Sequence, residues 1–123
     1  MSELSYDLVD KHKIDSLCQS KVLDPFYRAF CSAEHTFALF YEGLSVVGAV
    51  ELDFHNPNSY VFIHMIEVCE THRLQGIGYR IVKVLQRDIP LMECNPIPSS
   101  ERLFTKCGFS RCQHDPSLWE WVS

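Results

Sequence analysis

Apolar residues change their spacing several times along the chain, and each change marks an element. Tyr6 to Val9 reads as a short strand. Behind Asp10, Ile14, Leu17 and Cys18 fall at helical spacing, and the Asp10 carboxylate can cap that helix. Asp24-Pro25 places a capping residue before a proline at the first helical position, with Phe26, Ala29 and Phe30 as the apolar stripe of a second helix. From Thr36 the pattern turns to strands. Thr36 to Tyr41 and Ser45 to Phe54 flank a turn at Glu42-Gly43 and form a hairpin. His55 to Ser59 is a turn by composition, and Tyr60 to Val68 is a third apolar strand. Ile77, Ile81, Val84 and Leu85 then lie on one face of a helix, with Arg80, Lys83 and Arg87 elsewhere on its surface. Pro90 to Cys94 reads as a strand, followed by a helix that Ser99 or Ser100 can cap and that carries Leu103 and Phe104. Gly108 ends it in a left-handed position, and Phe109 to Cys112 and Leu118 to Val122 are closing strands. The order is β-α-α-β-β-β-α-β-α-β-β, an α/β fold with a mixed sheet.

A length of 123 residues allows one domain, spanning 1–123, with one core. With 46% hydrophobic and 22% charged residues, disordered and fibrous classes drop out. The start lacks a basic flank followed by an apolar core, and no apolar run approaches the roughly 18 residues of a membrane span. A cytoplasmic location without a membrane partner is expected. The six cysteines are scattered over strands and helices and read as reduced core thiols. Six histidines accompany them, but the chain has no C-x-x-C or H-x3-H pair; Cys112-Gln113-His114 is the nearest approach, so no metal is expected.

Net charge is −5, unevenly divided. Residues 1–70 carry a net of −7 and residues 71–123 a net of +2. The partition reads first as a solvated surface with chance asymmetry; the sharper reading is a polyanion at the second half and a cationic partner at the first, and the overall sign disfavours nucleic acid as a main partner.

Between the third strand and the long helix lies Arg73-Leu74-Gln75-Gly76-Ile77-Gly78. A glycine loop that enters a helix offers a row of backbone N–H groups, an anion site. Residues 73–87 hold four Arg/Lys and no acid, which suits a pyrophosphate. The nucleoside-triphosphate loop is excluded, because Gly78 is followed by Tyr79-Arg80 rather than Lys-Ser/Thr. A dinucleotide fold wants a third glycine where Ile81 stands, although Glu93 lies at about the distance of a ribose ligand.

Four features together make the chain resemble the GCN5-related N-acetyltransferase (GNAT) family over almost its whole length. Val47-Gly48 is similar to the Val-Gly of that family's third strand. Ile66-x-Val68-x4-Arg73-x-x-Gly76-Ile77-Gly78 is similar to its acetyl-CoA motif. Leu103-Phe104-x-Lys106-x-Gly108-Phe109 is similar to its Leu-Tyr-x-Lys-x-Gly-Phe segment, and the element order is the family's own. The resemblance implies a mostly antiparallel sheet flanked by helices. It also implies acetyl-CoA as cosubstrate, held by Ile66, Val68, Arg73, Leu74, Gln75, Gly76, Ile77, Gly78 and Tyr79. The family's tyrosine acid is replaced by Phe104, and the Asn and Ala that often precede it correspond to the neighbourhood of Pro98 and to Ser100. Asn95 takes the place of a further cofactor contact.

By that resemblance the reaction is direct transfer of an acetyl group to a primary amine, either a protein lysine or a small cationic amine. Backbone N–H groups of Ile66 and Val68 form the oxyanion site, in a strand whose bulge leaves a gap beside the strand of Cys94. Strict alternation puts Phe62, His64 and Ile66 on one face, where family members carry a glutamate base; His64 is the first candidate base and Glu67 the second. Cys69 and Cys94 offer a covalent route that direct attack does not need. Tyr79, just after the loop, is expected to cover the cofactor or pack on the sheet, with a role as acid in place of Phe104 the alternative. The rival reading is a CoA-binding or interaction module with the same fold and weak or lost catalysis. The chain is expected to act as a monomer or homodimer.

Overall fold

The computed structural model describes residues 3–24, 32–54, 60–73 and 75–123. The second helix expected after Asp24-Pro25 and the turn at His55 to Ser59 lie outside the described residues, as does Leu74. The elements are β1 (Leu4–Val9), α1 (Lys11–Gln19), β2 (Thr36–Glu42), β3 (Ser45–Asp53), β4 (Val61–Val68), α2 (Ile77–Asp88), β5 (Leu91–Cys94), α3 (Glu101–Lys106), β6 (Ser110–Arg111) and β7 (Trp119–Val122). The seven strands make one sheet in the order β1-β2-β3-β4-β5-β7-β6. Every neighbouring pair is antiparallel except β4–β5, which is parallel and is joined by the α2 crossover. Among the described residues no helix is long and apolar enough to cross a membrane.

Both faces of the sheet centre are covered, which is why β2 and β3 read as almost continuous apolar runs rather than as clean alternation. On one face Ala38, Phe40, Val50 and Leu52 pack with Ile77, Ile81 and Leu85 of α2 and Phe104 of α3. On the other, Phe37, Leu39 and Ala49 pack with Ile14 and Cys18 of α1. Complete burial of an Ile, Leu or Phe side chain contributes about 1.5–3 kcal/mol, so these two layers carry most of the fold's stability. Asp10 caps α1 as expected, its side chain accepting from the Lys13 N–H at 3.2 Å.

Gly48 is fixed by close approach. A Cβ there would meet the Glu67 carbonyl oxygen at 2.6 Å, so β3 and β4 lie this near only because the position has no side chain. At Gly108 the backbone turns left-handed, with φ +89°, and the Phe109 N–H closes the end of α3 on the Phe104 carbonyl at 3.0 Å.

Two local expectations are corrected. Ser100 does stand at the N-cap of α3, but its side chain makes no capping hydrogen bond: a 3-10 turn over Pro98–Ser100 leads directly into the helix, and the Ser100 N–H donates to the Ile97 carbonyl at 2.8 Å. The final hairpin is shorter than its apolar pattern, because Phe109 is buried against Phe104 and only Ser110–Arg111 pairs with β7.

Candidate active site

The parallel pairing of β4 with β5 covers only Val61↔Met92, Phe62↔Glu93 and Ile63↔Cys94. One residue later β4 carries a bulge. Glu51 faces Met65 while Leu52 faces Ile63, which leaves His64 as the extra residue. Beyond this point the two strands part around a cavity of about 300 Å³, lined among others by His64, Ile66, Val68, Cys94, Asn95 and Phe104.

The bulge also overturns the expected alternation. Ile63 and Ile66 both pack on the α2 side of the sheet and Met65 on the α1 side. Phe62 and His64 remain neighbours, ring centroids 4.6 Å apart, but Ile66 is not on their face. A single inserted residue shifts the parity of every side chain after it.

Backbone polarity in the gap follows from one hydrogen bond. The Cys69 N–H donates to the Val47 carbonyl at 2.8 Å, so it points toward β3. Successive N–H groups of a strand point to opposite sides, so those of Val68 and Ile66 point away from β3, into the space that β5 has left.

Downstream the cavity opens into a groove of about 910 Å³ that runs over the N-terminus of α2. Ile66, Val68, Gly78 and Leu103 line both, so the two are continuous. Gly76 is the N-cap of α2 with φ +72°, and no side chain caps the first turn. No acid stands in that turn either. The exposed N–H groups and the positive end of a twelve-residue helix therefore face the groove.

Of the four cations in 73–87, only Arg73 lines the groove. Arg80 reaches Glu42 at 2.9 Å and Arg87 reaches Asp88 at 3.1 Å. The other groove cations come from α3, where Arg102 and Lys106 face the loop, with His72 beside Arg73. Sequence reasoning did not single out Arg102 and Lys106 as groove residues; the signal was Lys106 within the segment that resembles the family. Tyr79 lines the groove rather than the cavity, with Lys106 Nζ 4.7 Å from its ring centroid. Gln75 is exposed and lines neither space, its amide turned back to the Thr71 carbonyl at 3.5 Å.

Arg73 donates to Glu67 Oε1 at 2.7 Å and to the Val68 carbonyl at 3.1 Å, and lies 3.8 Å from Asp24. Burial raises the Glu67 carboxyl above its ordinary range, and the Arg73 guanidinium partly offsets that. Glu67 is thus held by an ion pair at the groove's edge. His64 lines the cavity, with Nε2 3.6 Å from Asp53 Oδ2.

Cys94 and Cys69 are poor nucleophiles. Burial, helped by Glu93, pushes the Cys94 thiol up to about 12, and burial likewise raises Cys69 despite nearby Arg73. Desolvation outweighs the basic loop, so the thiolate needed for a covalent route is scarce. Phe104 is buried at the cavity wall with its ring edge-on to Phe109, and it brings no hydroxyl to the gap.

The model of the acetyltransferase (GNAT) family matches residues 6–109, and the chain belongs to that family. Its members are acetyl-CoA-dependent acetyltransferases, and so is this chain. No curated protein sequence matches it significantly. Among solved structures it is similar to Tetrahymena GCN5, at 12% identity over 96% of this chain and 95% of the other, with a TM-score of 0.69. An acetyltransferase of Thermus thermophilus shares 15% identity over 98% and 96%, with a TM-score of 0.66. The Bacillus subtilis N-acetyltransferase YlbP, in complex with coenzyme A, shares 16% over 100% and 97%, with a TM-score of 0.63. At these identities the likeness is one of fold.

Proposed function

We propose that the chain, acting as one catalytic domain, transfers the acetyl group of acetyl-CoA directly to a cationic primary amine, with His64 as base. The observation that carries this reading is the continuous cleft from the β4–β5 gap to the uncapped N-terminus of α2. The diphosphate fits at Gly76 to Gly78 beside Arg73, Arg102 and Lys106. The pantetheine arm then follows Ile66 and Val68 into the gap, toward Asn95. There the thioester oxygen can accept from N–H groups that point away from β3, which stabilises charge developing on oxygen.

His64 lies at the mouth of the gap with the Asp53 carboxylate behind it. A proton on Nε2 directed at that carboxylate leaves Nδ1 to take one from the amine. Glu67 is the less suitable base, because its carboxylate is engaged by Arg73. The acceptor's positive charge suits Asp53 and the net of −7 over residues 1–70. A polyamine, an aminoglycoside or a protein lysine all satisfy that description.

The second reading, a CoA-binding module with weak catalysis, is favoured by Phe104 at the family's tyrosine position. Release of free CoA thiol with a panel of such amines separates the two. Amine-dependent release that falls about 100-fold or more in His64→Ala supports the enzyme and its base. Binding of acetyl-CoA without release supports the module.

A further inference from the structure

We propose that His35, Asp53 and His64 form a binding site for a divalent transition ion of the zinc class. The three side chains come from the bend before β2, the end of β3 and the bulge of β4, and they are neighbours because β3 pairs with both other strands. His35 Nε2 lies 3.5 Å from Asp53 Oδ2, and His64 Nε2 lies 3.6 Å from the same oxygen. One ligand atom from each residue lies within 4.8 Å of the others.

These distances are long for direct hydrogen bonds, whose mode is about 2.9–3.0 Å. A tetrahedral zinc ion with bonds of about 2.0–2.1 Å sets neighbouring ligand atoms about 3.3–3.4 Å apart. The two His–Asp spacings need to shrink by only a few tenths of an ångström, while the two histidine atoms, within 4.8 Å of each other, close up by rotation of their rings. The two imidazoles stack with centroids 4.2 Å and planes 16° apart, so both bring Nε2 toward Asp53 together.

Glu51 is the independent observation. It is 1% exposed, and its Oε2 accepts from the Ser32 N–H at 3.0 Å and sits 2.5 Å from His35 Nδ1. A carboxylate that takes the Nδ1 proton leaves the Nε2 lone pair free for a metal, the arrangement that orients histidine ligands in metal sites. Its other oxygen, Oε1, is buried with no hydrogen-bond partner among the described residues. A positive charge on the far side of His35 compensates that buried carboxylate. Spacing along the chain could not reveal the set, since each ligand belongs to a different element.

The ion's effect on catalysis rests on the proposed role of His64: metal on Nε2 prevents the ring from taking a further proton at Nδ1, so loading slows acetyl transfer. Binding itself does not depend on that role. Zinc alone is titrated into the full chain against a chromophoric chelator, without acetyl-CoA or amine. One equivalent is expected at micromolar affinity or tighter. His35→Ala, His64→Ala and Asp53→Asn should each weaken it at least about tenfold, Glu51→Gln by about 10–100-fold, and His114→Ala not at all. Cooperative melting checks each fold; His35→Asn and His64→Asn replace alanine variants that fail it. No binding below millimolar zinc, or weakening that follows His114 and Cys112 instead, overturns the site. If zinc binds there and turnover slows, both readings stand. If zinc binds there and turnover is unchanged, the site stands and His64 is not the base.

Discussion

Gly76 shows how a residue type can be required for a reason its motif does not state. A Cβ at this position would meet nothing within 4 Å, so bulk is not excluded by neighbouring protein atoms; the constraint is φ +72°. Gly76→Val should cost about 1–2 kcal/mol of backbone strain where the loop enters α2, and Gly76→Asn less, because asparagine tolerates the left-handed region. Calorimetry should rank acetyl-CoA affinity as wild type, then Asn, then Val; equal affinities would place the phosphates elsewhere. Phe104 brings no hydroxyl to the gap, and on the proposed mechanism the departing thiolate is left to water. The pH–rate profile should rise with the base and the amine and show no falling limb at high pH, and Phe104→Tyr should keep or raise the rate. A falling limb that Tyr79→Phe abolishes would make Tyr79 the acid. For Cys94, a value of about 12 leaves about one thiolate in ten thousand at pH 8. Mass spectrometry after iodoacetamide treatment of the native protein should find Cys94 unlabelled; rapid labelling would reopen the covalent route.

At the scale of elements, periodicity carried most of the fold, because the strands and helices are amphipathic or fully buried and their apolar residues keep period. The Asp10 cap, α2 and β5 were all legible. The bulge was not legible from pattern: the family resemblance supplied it, while strict alternation through His64 put Ile66 on the wrong face. Nothing in an apolar run marks one residue as unpaired. Charge along α2 also misled, since cations near in sequence to the loop pair outward with Glu42 and Asp88. Besides Arg73, those that face the groove come from α3, held against α2 where buried Gln86 donates to the Cys107 carbonyl at 2.6 Å. Replacing Arg102 and Lys106 together with alanine should therefore weaken acetyl-CoA binding about tenfold or more, with a reduced salt dependence, while Arg80→Ala changes it little. The opposite ranking, read by titration at two ionic strengths, would mean that the diphosphate lies on the outer side of α2.

Across the whole molecule, the crossover from β4 through α2 to β5 creates the cleft, since a parallel pair that stops after three residue pairs must part beyond them. The same topology gathers His35, Glu51, Asp53 and His64 from three strands' worth of chain, a grouping visible only once register is known. Net charge is −7 over residues 1–70 and +2 over residues 71–123, and of the cations in the second stretch Arg73, Arg102 and Lys106 line the groove. All of this depends on acetyl-CoA occupying the cleft, which calorimetric titration of the wild-type chain tests most directly. The account predicts a 1:1 isotherm, accompanied by a rise in melting temperature with ligand concentration, as binding to the native state alone requires. A flat isotherm at millimolar acetyl-CoA with an unmoved melting temperature would contradict it.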